Sequence, residues 1–258
     1  MVVLVMLTGY SGAPAVAGSG PAPIVSSQRS LRGVWPDPDI RAGLRATPKI
    51  GVRARISRTR PKGPRCAVAK ALAASLNRSR PDQVLLVTAD GTRARVVGCE
   101  RVNAGYVRVL GPFGARVGRR GVAPRGAKRE GDGRTPAGVF TLRSGFGTAK
   151  NPGLAGSFGW FTAGRADVWV DDPKSRLYNT HQSGPARGRW RSAEKLQIAP
   201  YRTAQVIGYN QTRTAGRGSA IFLHLNTGRP TAGCVSLSAA HLRAVMRWER
   251  ADAVIAIG

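Results

Sequence analysis

The chain has 258 residues, enough for one large domain with a buried core. Its 42% hydrophobic content excludes a chain too polar to fold, and its 33 glycines and 17 prolines favour turns and β structure over long helices. A formal net charge of +28 predicts an anionic partner or environment, which leaves both nucleic acid and the bacterial cell wall open.

Residues 1–18 resemble an export signal. An apolar run is followed by small residues and by Ala15-Val16-Ala17, which is typical of a signal-peptide cleavage site. Residues 19–65 are rich in Pro, Gly, Ser and Arg without sustained periodicity, which predicts a linker or arm. Such a basic arm either holds an exported enzyme against a polyanionic wall or is a plain solvated spacer.

The folded domain is predicted over residues 66–258. A short helix is expected over Cys66–Asn77, and an amphipathic one over Ser238–Arg250. The irregular spacing of the strand candidates predicts a mainly β fold, a sandwich or barrel of mixed strands with long loops and a few short helices. These strand candidates are Gln83–Thr88, Arg93–Cys99, Tyr106–Leu110, Gly138–Leu142, Asp167–Val170, Ala204–Tyr209, Ala220–Leu225 and Ala253–Ile257.

The three cysteines leave one unpaired if the other two form a disulfide. Cys66 and Cys99 either form a structural pair, as in exported proteins, or remain buried free thiols. Cys234 is then the remaining thiol, and its surroundings decide whether it is reactive.

The segment Ile221–Leu237, with the sequence IFLHLNTGRPTAGCVSL, carries the chemistry. His224 ends an apolar strand, and a Gly/Pro loop then leads to Gly233 and Cys234. An imidazole in contact with a thiol supplies the base that a cysteine nucleophile needs. The amides of Gly233 and Cys234 are candidate oxyanion donors. Taken alone, the same spacing also fits a hydrogen-bonded core histidine.

This segment resembles the signature of the L,D-transpeptidase catalytic domain family, in which a His and a Gly-bearing loop precede Ser/Thr-x-Gly-Cys and an apolar residue. Thr231, Gly233, Cys234 and Val235 match that pattern. The sequence departs from it at Ala232, where many members have a second His. The resemblance therefore leaves His224 as the base. Leu225 follows it, so the group that orients the ring stays open, and a backbone carbonyl is one candidate to hold its other nitrogen.

A second match lies upstream, where Lys128–Gly138 resembles the G-D-x-x-T-P-x-G segment of the same family. The resemblance covers about Pro81 to Gly258. It includes Trp169–Pro173 and Tyr178-Asn179, which resemble substrate-side loops of one branch of the family. Two motifs in the right order and more than ninety residues apart are much harder to obtain by chance than one.

The resemblance implies an exported, wall-associated enzyme. Cys234 attacks the carbonyl of the third residue of a peptidoglycan tetrapeptide, terminal D-Ala leaves, and an amine activated by His224 completes a 3→3 cross-link. Peptidoglycan stem peptides and anionic wall polymers are the implied partners, nucleic acid is not expected, and neither a cofactor nor a metal is required. The alternatives are an L,D-carboxypeptidase or amidase with the same site, and a non-catalytic wall- or nucleic-acid-binding protein.

Four further residues are candidates for substrate binding. Arg213 and Arg217, in the loop before the His224 strand, either bind a substrate carboxylate or face water. Tyr178 and Thr231 belong to the segments that resemble the family.

Three other polar residues receive simpler interpretations. His181 either touches substrate or is a surface histidine, and His241 is expected to be exposed on the C-terminal helix. Asp132, between two glycines, is expected to form a turn by accepting nearby amides.

Overall fold

The computed structural model describes Cys66, residues 81–103 and residues 105–258. The predicted signal segment and linker, and all of the predicted helix Cys66–Asn77 except Cys66, lie outside the described residues. In the part of the chain that is described, no helix is long and apolar enough to cross a membrane.

The mainly β prediction is confirmed. Short 3-10 helices occur at Gly156–Phe158 and Ala199–Arg202, and α1 is Ala239–Trp248. The strands of the described residues are β1 Gln83–Asp90, β2 Arg93–Val102, β3 Gly105–Arg116, β4 Val122–Ala123, β5 Thr135–Pro136, β6 Gly138–Gly147, β7 Trp160–Thr162, β8 Asp167–Val170, β9 His181–Ser183, β10 Ala193–Lys195, β11 Ala204–Ile207, β12 Phe222–Leu225, β13 Val235–Leu237 and β14 Val254–Ile257.

The main sheet contains nine strands in the order β11-β12-β13-β3-β2-β1-β14-β6-β7. Since β11 also pairs with β6, the sheet closes on itself, which agrees with the predicted sandwich or barrel of mixed strands. Parallel pairs such as β12 with β13 lie among antiparallel ones, so the strands are mixed as predicted. A separate three-stranded sheet has the order β10-β8-β9.

Alternation along β12 and β13 divides their side chains between two cores. Leu223 and Val235 face the main core, against which the apolar side of α1 packs. Phe222 and Cys234 face the opposite way, into a second cluster that also contains Tyr201. The candidate nucleophile therefore lies on the side of the sheet away from the main core.

Cys66 and Cys99 form a disulfide, with their Cα atoms 6.3 Å apart. This decides the open question in favour of the structural pair. Cys66 N–H also donates to the carbonyl oxygen of Tyr106 at 2.9 Å, which joins this residue to β3. Cys234 is the free cysteine.

The strand predicted over Ala220–Leu225 begins two residues later than expected. Ala220 has a φ of +52°, in the left-handed region, and its N–H donates to Asn179 Oδ1 instead of entering the sheet. The amphipathic helix is confirmed. It begins after Ser238, whose hydroxyl accepts the N–H of His241, and Leu242, Val245 and Met246 on its apolar side are buried.

Candidate active site

Cys234 lies beside the strand that carries His224. β12 runs parallel to β13, and Cys234 immediately precedes β13. The N–H of Phe222 donates to Cys234 Sγ at 3.3 Å, and the thiol donates to the carbonyl oxygen of Ala220, also at 3.3 Å. These bonds hold the sulfur against the start of the His224 strand.

His224 is two residues beyond Phe222 and so projects from the same face of β12. His224 and Cys234 line one cleft of about 500 Å³. The structure therefore brings together the two residues that the spacing paired.

The His224 ring is 7% exposed, and its Nδ1 lies 2.8 Å from the carbonyl oxygen of Leu225. A backbone carbonyl therefore orients the ring, which answers the question that the sequence left open. Burial lowers the pKa of His224 to about 4, although the bond to Leu225 opposes that change. The imidazole is consequently neutral at pH 7 and able to accept a proton.

Burial, followed by the negative charge of Glu194, raises the pKa of Cys234 to about 12. With the pKa of His224 near 4, the free site holds a neutral thiol and a neutral imidazole, not an ion pair. The arrangement thus favours proton removal by His224 as the sulfur attacks, over a thiolate formed in advance.

Charged groups of both signs line the cleft. Lys128, Arg119 and Arg229 are its basic residues, and the acidic ones are Glu130, Asp171 and Glu194. A ligand with both carboxylate and ammonium groups matches this lining. Among the described residues, no group of three or more His, Cys, Asp or Glu side chains is placed to hold a metal ion.

Two threonine hydroxyls fix the backbone at Cys234. Thr231 Oγ1 donates to the carbonyl oxygen of Cys234 at 2.7 Å, and Thr135 Oγ1 donates to the same oxygen at 3.2 Å. Thr135 also accepts the N–H of Gly118 at 2.9 Å. The two sequence motifs, although distant in the chain, therefore meet at the candidate nucleophile.

The family described as YkuD, L,D-transpeptidase catalytic domain, matches residues 79–256. The chain belongs to the L,D-transpeptidase catalytic domain family. No curated protein matches it at a significant level. A solved structure of a mutant of the helical cell shape determining protein Pgp2 from Campylobacter jejuni is similar at 15% identity, with a TM-score of 0.35. That alignment covers 69% of this chain and 47% of that chain, so this chain spans about half the length of Pgp2.

In this L,D-transpeptidase domain, the Gly233 N–H donates to Thr231 Oγ1 at 3.1 Å. The first of the two predicted oxyanion donors is thus engaged within its own loop. A Cβ at Gly233 would lie 3.0 Å from the carbonyl oxygen of Arg134, so this close approach of two backbones favours glycine.

Residues of the upstream family motif line the cleft. Both carboxylate oxygens of Asp132 accept backbone N–H groups, from Arg129 and Arg134, and Asp132 also pairs with Lys128 at 2.7 Å. The predicted turn at Asp132 is present. Glu130 from the same motif lines the cleft.

Tyr178, a predicted substrate contact, is instead a buried support. It is 2% exposed, donates from its hydroxyl to Glu130 Oε2 at 2.5 Å and accepts the N–H of Gly218. Ser219 Oγ donates to the same Glu130 oxygen at 2.7 Å. Tyr178 therefore supports Glu130, which lines the cleft.

The structure separates the predicted arginines from the cleft of this L,D-transpeptidase domain. Arg217 lines a different concavity, where its guanidinium donates to the carbonyl oxygen of Gly126, and Arg213 donates to that of Arg176. Thr231 does line the cleft, but its hydroxyl is used within the loop.

Neither of the other histidines lines the cleft. His181 Nε2 lies 2.9 Å from Asp167 Oδ1, and its ring stacks on Phe161. His241 is half-buried and stacks on Phe113, so the expectation that it is exposed was wrong. An aromatic partner on β3, distant in sequence, covers it.

Two residues beside the cleft pair Cys234 and His224 could not be found from the sequence. Tyr201 is 4% exposed and packs edge-on against His224, with ring centroids 5.3 Å apart. Glu194 accepts the Tyr201 hydroxyl at 2.5 Å. Neither belongs to a motif, and β10, which carries Glu194, is too short to show a periodic pattern.

Proposed function

We propose that this chain is an exported peptidoglycan L,D-transpeptidase that works through a thioester on Cys234. The observation that carries the proposal is the placement of Cys234 and His224 on one face of adjoining strands, in one cleft. Membership of the L,D-transpeptidase catalytic domain family supports it.

In the first step, Cys234 Sγ attacks the carbonyl carbon of the third, diaminopimelate-like residue of a tetrapeptide stem. His224 takes the thiol proton on Nε2, because Nδ1 is held by the carbonyl oxygen of Leu225. The tetrahedral intermediate collapses to a thioester, and His224 returns the proton to the departing amine of D-Ala.

The developing oxyanion needs donors that are free to face it. The Gly233 N–H is engaged by Thr231 in the resting site, which favours the Cys234 N–H as the first donor. Arg119 and Arg229 replace Arg213 and Arg217 as the candidates for binding stem-peptide carboxylates, because they line the cleft.

In the second step, the amine of a neighbouring stem peptide attacks the thioester carbonyl as His224 takes a proton from its nitrogen, and His224 then returns this proton to the departing sulfur. The carbon–sulfur bond breaks and the thiol is restored, which leaves a 3→3 cross-link. The acidic residues Glu130, Asp171 and Glu194 suit an approaching ammonium group. Water in place of the amine gives a carboxypeptidase.

Export to the wall is supported by the disulfide between Cys66 and Cys99, since such bonds persist in oxidising compartments. The net charge of +28 suits retention on anionic wall polymers. The signal-like sequence of residues 1–18 agrees with both.

The chemistry is tested by incubating the purified protein with a carbapenem and measuring its intact mass. We expect one covalent adduct in the wild type, none in Cys234→Ala, and slow formation in His224→Gln. His181→Gln is the matched control, since this histidine lies outside the cleft and should leave the adduct unchanged. Equal adducts in the wild type and Cys234→Ala would overturn the proposal.

The reaction outcome is tested with purified tetrapeptide-containing muropeptides. A transpeptidase converts them to 3→3 cross-linked dimers, whereas a carboxypeptidase only shortens them to tripeptides. Formation of tripeptides without dimers would keep the thioester mechanism but show that water, not an amine, is the acceptor. If neither dimers nor tripeptides form, both activities on this substrate are rejected.

A further inference from the structure

Tyr201 stands between the two predicted catalytic residues and a carboxylate. Its ring packs edge-on against His224 and Phe222, with centroid distances of 5.3 and 5.4 Å. Its hydroxyl donates to Glu194 Oε1 at 2.5 Å, and Tyr201 packs in the same buried cluster as Cys234. The side chain that binds the Glu194 carboxylate is therefore packed in the cluster that contains the Cys234 sulfur.

Glu194 comes from outside the main sheet. It lies in β10 opposite Trp169 of β8, and together with Tyr201 it lines the same cleft as Cys234. Glu194 is thus placed to act on the sulfur both by its charge and through the hydroxyl of Tyr201.

We propose that Tyr201 and Glu194 are positioning residues that control the ionisation of Cys234, with protonated Glu194 as the form that supports the thiolate. The inference rests on Cys234 being the nucleophile of the proposed function. It adds a control element that neither family motif contains.

When Glu194 is ionised, its carboxylate holds the Tyr201 hydroxyl proton, and its negative charge opposes a second negative charge on Cys234. When Glu194 is protonated, its O–H donates to Tyr201 Oη, and the Tyr201 O–H turns to Cys234 Sγ. The thiol proton passes to His224 Nε2 as the sulfur attacks its electrophile. Every proton has a named acceptor, and a hydrogen bond from Tyr201 stabilises the thiolate.

The control operates near neutral pH. Burial raises the pKa of Glu194 to about 7, the Tyr201 hydrogen bond opposes this rise, and the charges of Asp171 and Glu130 add to it. The pKa of Cys234 responds to Glu194 and, in the opposite direction, to Lys128. The remaining charged or titratable groups of the cleft are Arg119, Arg229 and His224.

The test measures the rate at which iodoacetamide alkylates Cys234, which follows the thiolate fraction. Only Cys234 reacts, because Cys66 and Cys99 are joined. In the wild type we expect the rate to rise with pH, flatten near pH 7 as Glu194 ionises, and then rise again. Glu194→Gln should remove the flattening and react about tenfold faster near pH 8.

Two variants separate the relay from simple charge. Asp171→Asn removes a carboxylate from the same cleft and should keep the flattening, moved to lower pH because the charge of Asp171 no longer raises the pKa of Glu194. In the Glu194→Gln background, Tyr201→Phe should lose part of the rate gain, since the hydroxyl donor to sulfur is gone. Thermal unfolding confirms that each variant is folded.

If the alkylation rate rises with pH without flattening in both the wild type and Glu194→Gln, the proposal is overturned. Equal rates for Glu194→Gln with and without Tyr201→Phe would overturn the part assigned to Tyr201. Alkylation requires no peptidoglycan substrate. A Glu194-dependent pH profile without a carbapenem adduct would therefore reject the proposed function and keep the control of the thiol by Glu194. A carbapenem adduct with a pH profile that does not depend on Glu194 would keep the proposed function and reject that control.

Discussion

His224 Nδ1 lies 2.8 Å from the carbonyl oxygen of Leu225. A carbonyl oxygen only accepts hydrogen bonds, so Nδ1 carries the proton and Nε2 is left with the lone pair. The ring is thus held in the tautomer that a base needs. Because the accepting group is a backbone carbonyl, no side-chain substitution at position 225 removes it.

The acid limit of acylation should reflect the buried state of His224. Because the pKa of His224 is lowered to about 4, its neutral, proton-accepting form persists well below pH 6. We expect the rate of carbapenem acylation, followed by mass spectrometry, to fall near pH 4. A fall near pH 6.5, the ordinary value for histidine, would contradict this prediction. The variant His224→Gln shows whether His224 causes this fall. It should react ~100-fold or more slowly than the wild type, and its rate should not fall near pH 4.

Thr135 should matter for both stability and acylation. Thr135→Val removes the donor to the Cys234 carbonyl oxygen and the acceptor of the Gly118 N–H, both in a buried setting. We expect a loss of about 1–3 kcal/mol in the free energy of unfolding, measured in urea, and slower acylation. Thr135→Ser keeps the hydroxyl and is the matched control. Similar behaviour of the two variants would show that the hydroxyl is dispensable.

Breaking the disulfide should affect stability alone. Cys66 and Cys99 are 33 residues apart in sequence, and their pairing lowers the entropy of the unfolded chain. Cys66→Ser combined with Cys99→Ser should lower the free energy of unfolding by about 2–4 kcal/mol. Neither residue lines the cleft, so carbapenem acylation of Cys234 by folded protein should be unchanged. A parallel loss of acylation at a temperature where the variant is folded would contradict this.

Glu249 should make stability fall as the pH rises. Its carboxylate is buried, and burial raises its pKa to about 8, although the side chain of Gln205 opposes this rise. An unfolded glutamate has a pKa near 4.3, so the native state retains a proton that unfolding releases between about pH 4.3 and pH 8. This contribution to stability is present below that window and is lost across it.

Glu249→Gln should therefore stabilise the protein at neutral and alkaline pH, by ~3 kcal/mol near pH 7, and the gain should shrink towards pH 4. Thermal unfolding of both proteins across this range measures the difference. A gain that does not change with pH would indicate that ionisation of Glu249 is not its cause.

The elements with strong local patterns were predicted from the sequence. β1, β2 and α1 follow from alternating or helical apolar spacing, and Cys234 and His224 follow from their motif. The short strand β10 was missed because three residues show no period. The start of β12 was misplaced because Asn179, distant in sequence, captures the N–H of Ala220.

The sequence by itself determined the mainly β class, the nucleophile and base candidates, and the two motifs, since these depend on residue type and spacing along the chain. Only the tertiary structure decided that Cys66 pairs with Cys99, that Tyr178 supports Glu130 instead of facing the cleft, and that Arg213 and Arg217 lie elsewhere. Tyr201 and Glu194 were also revealed by folding alone. Hydrogen bonds and burial join residues that are distant in the chain, and these contacts set the pKa values of Cys234 and His224.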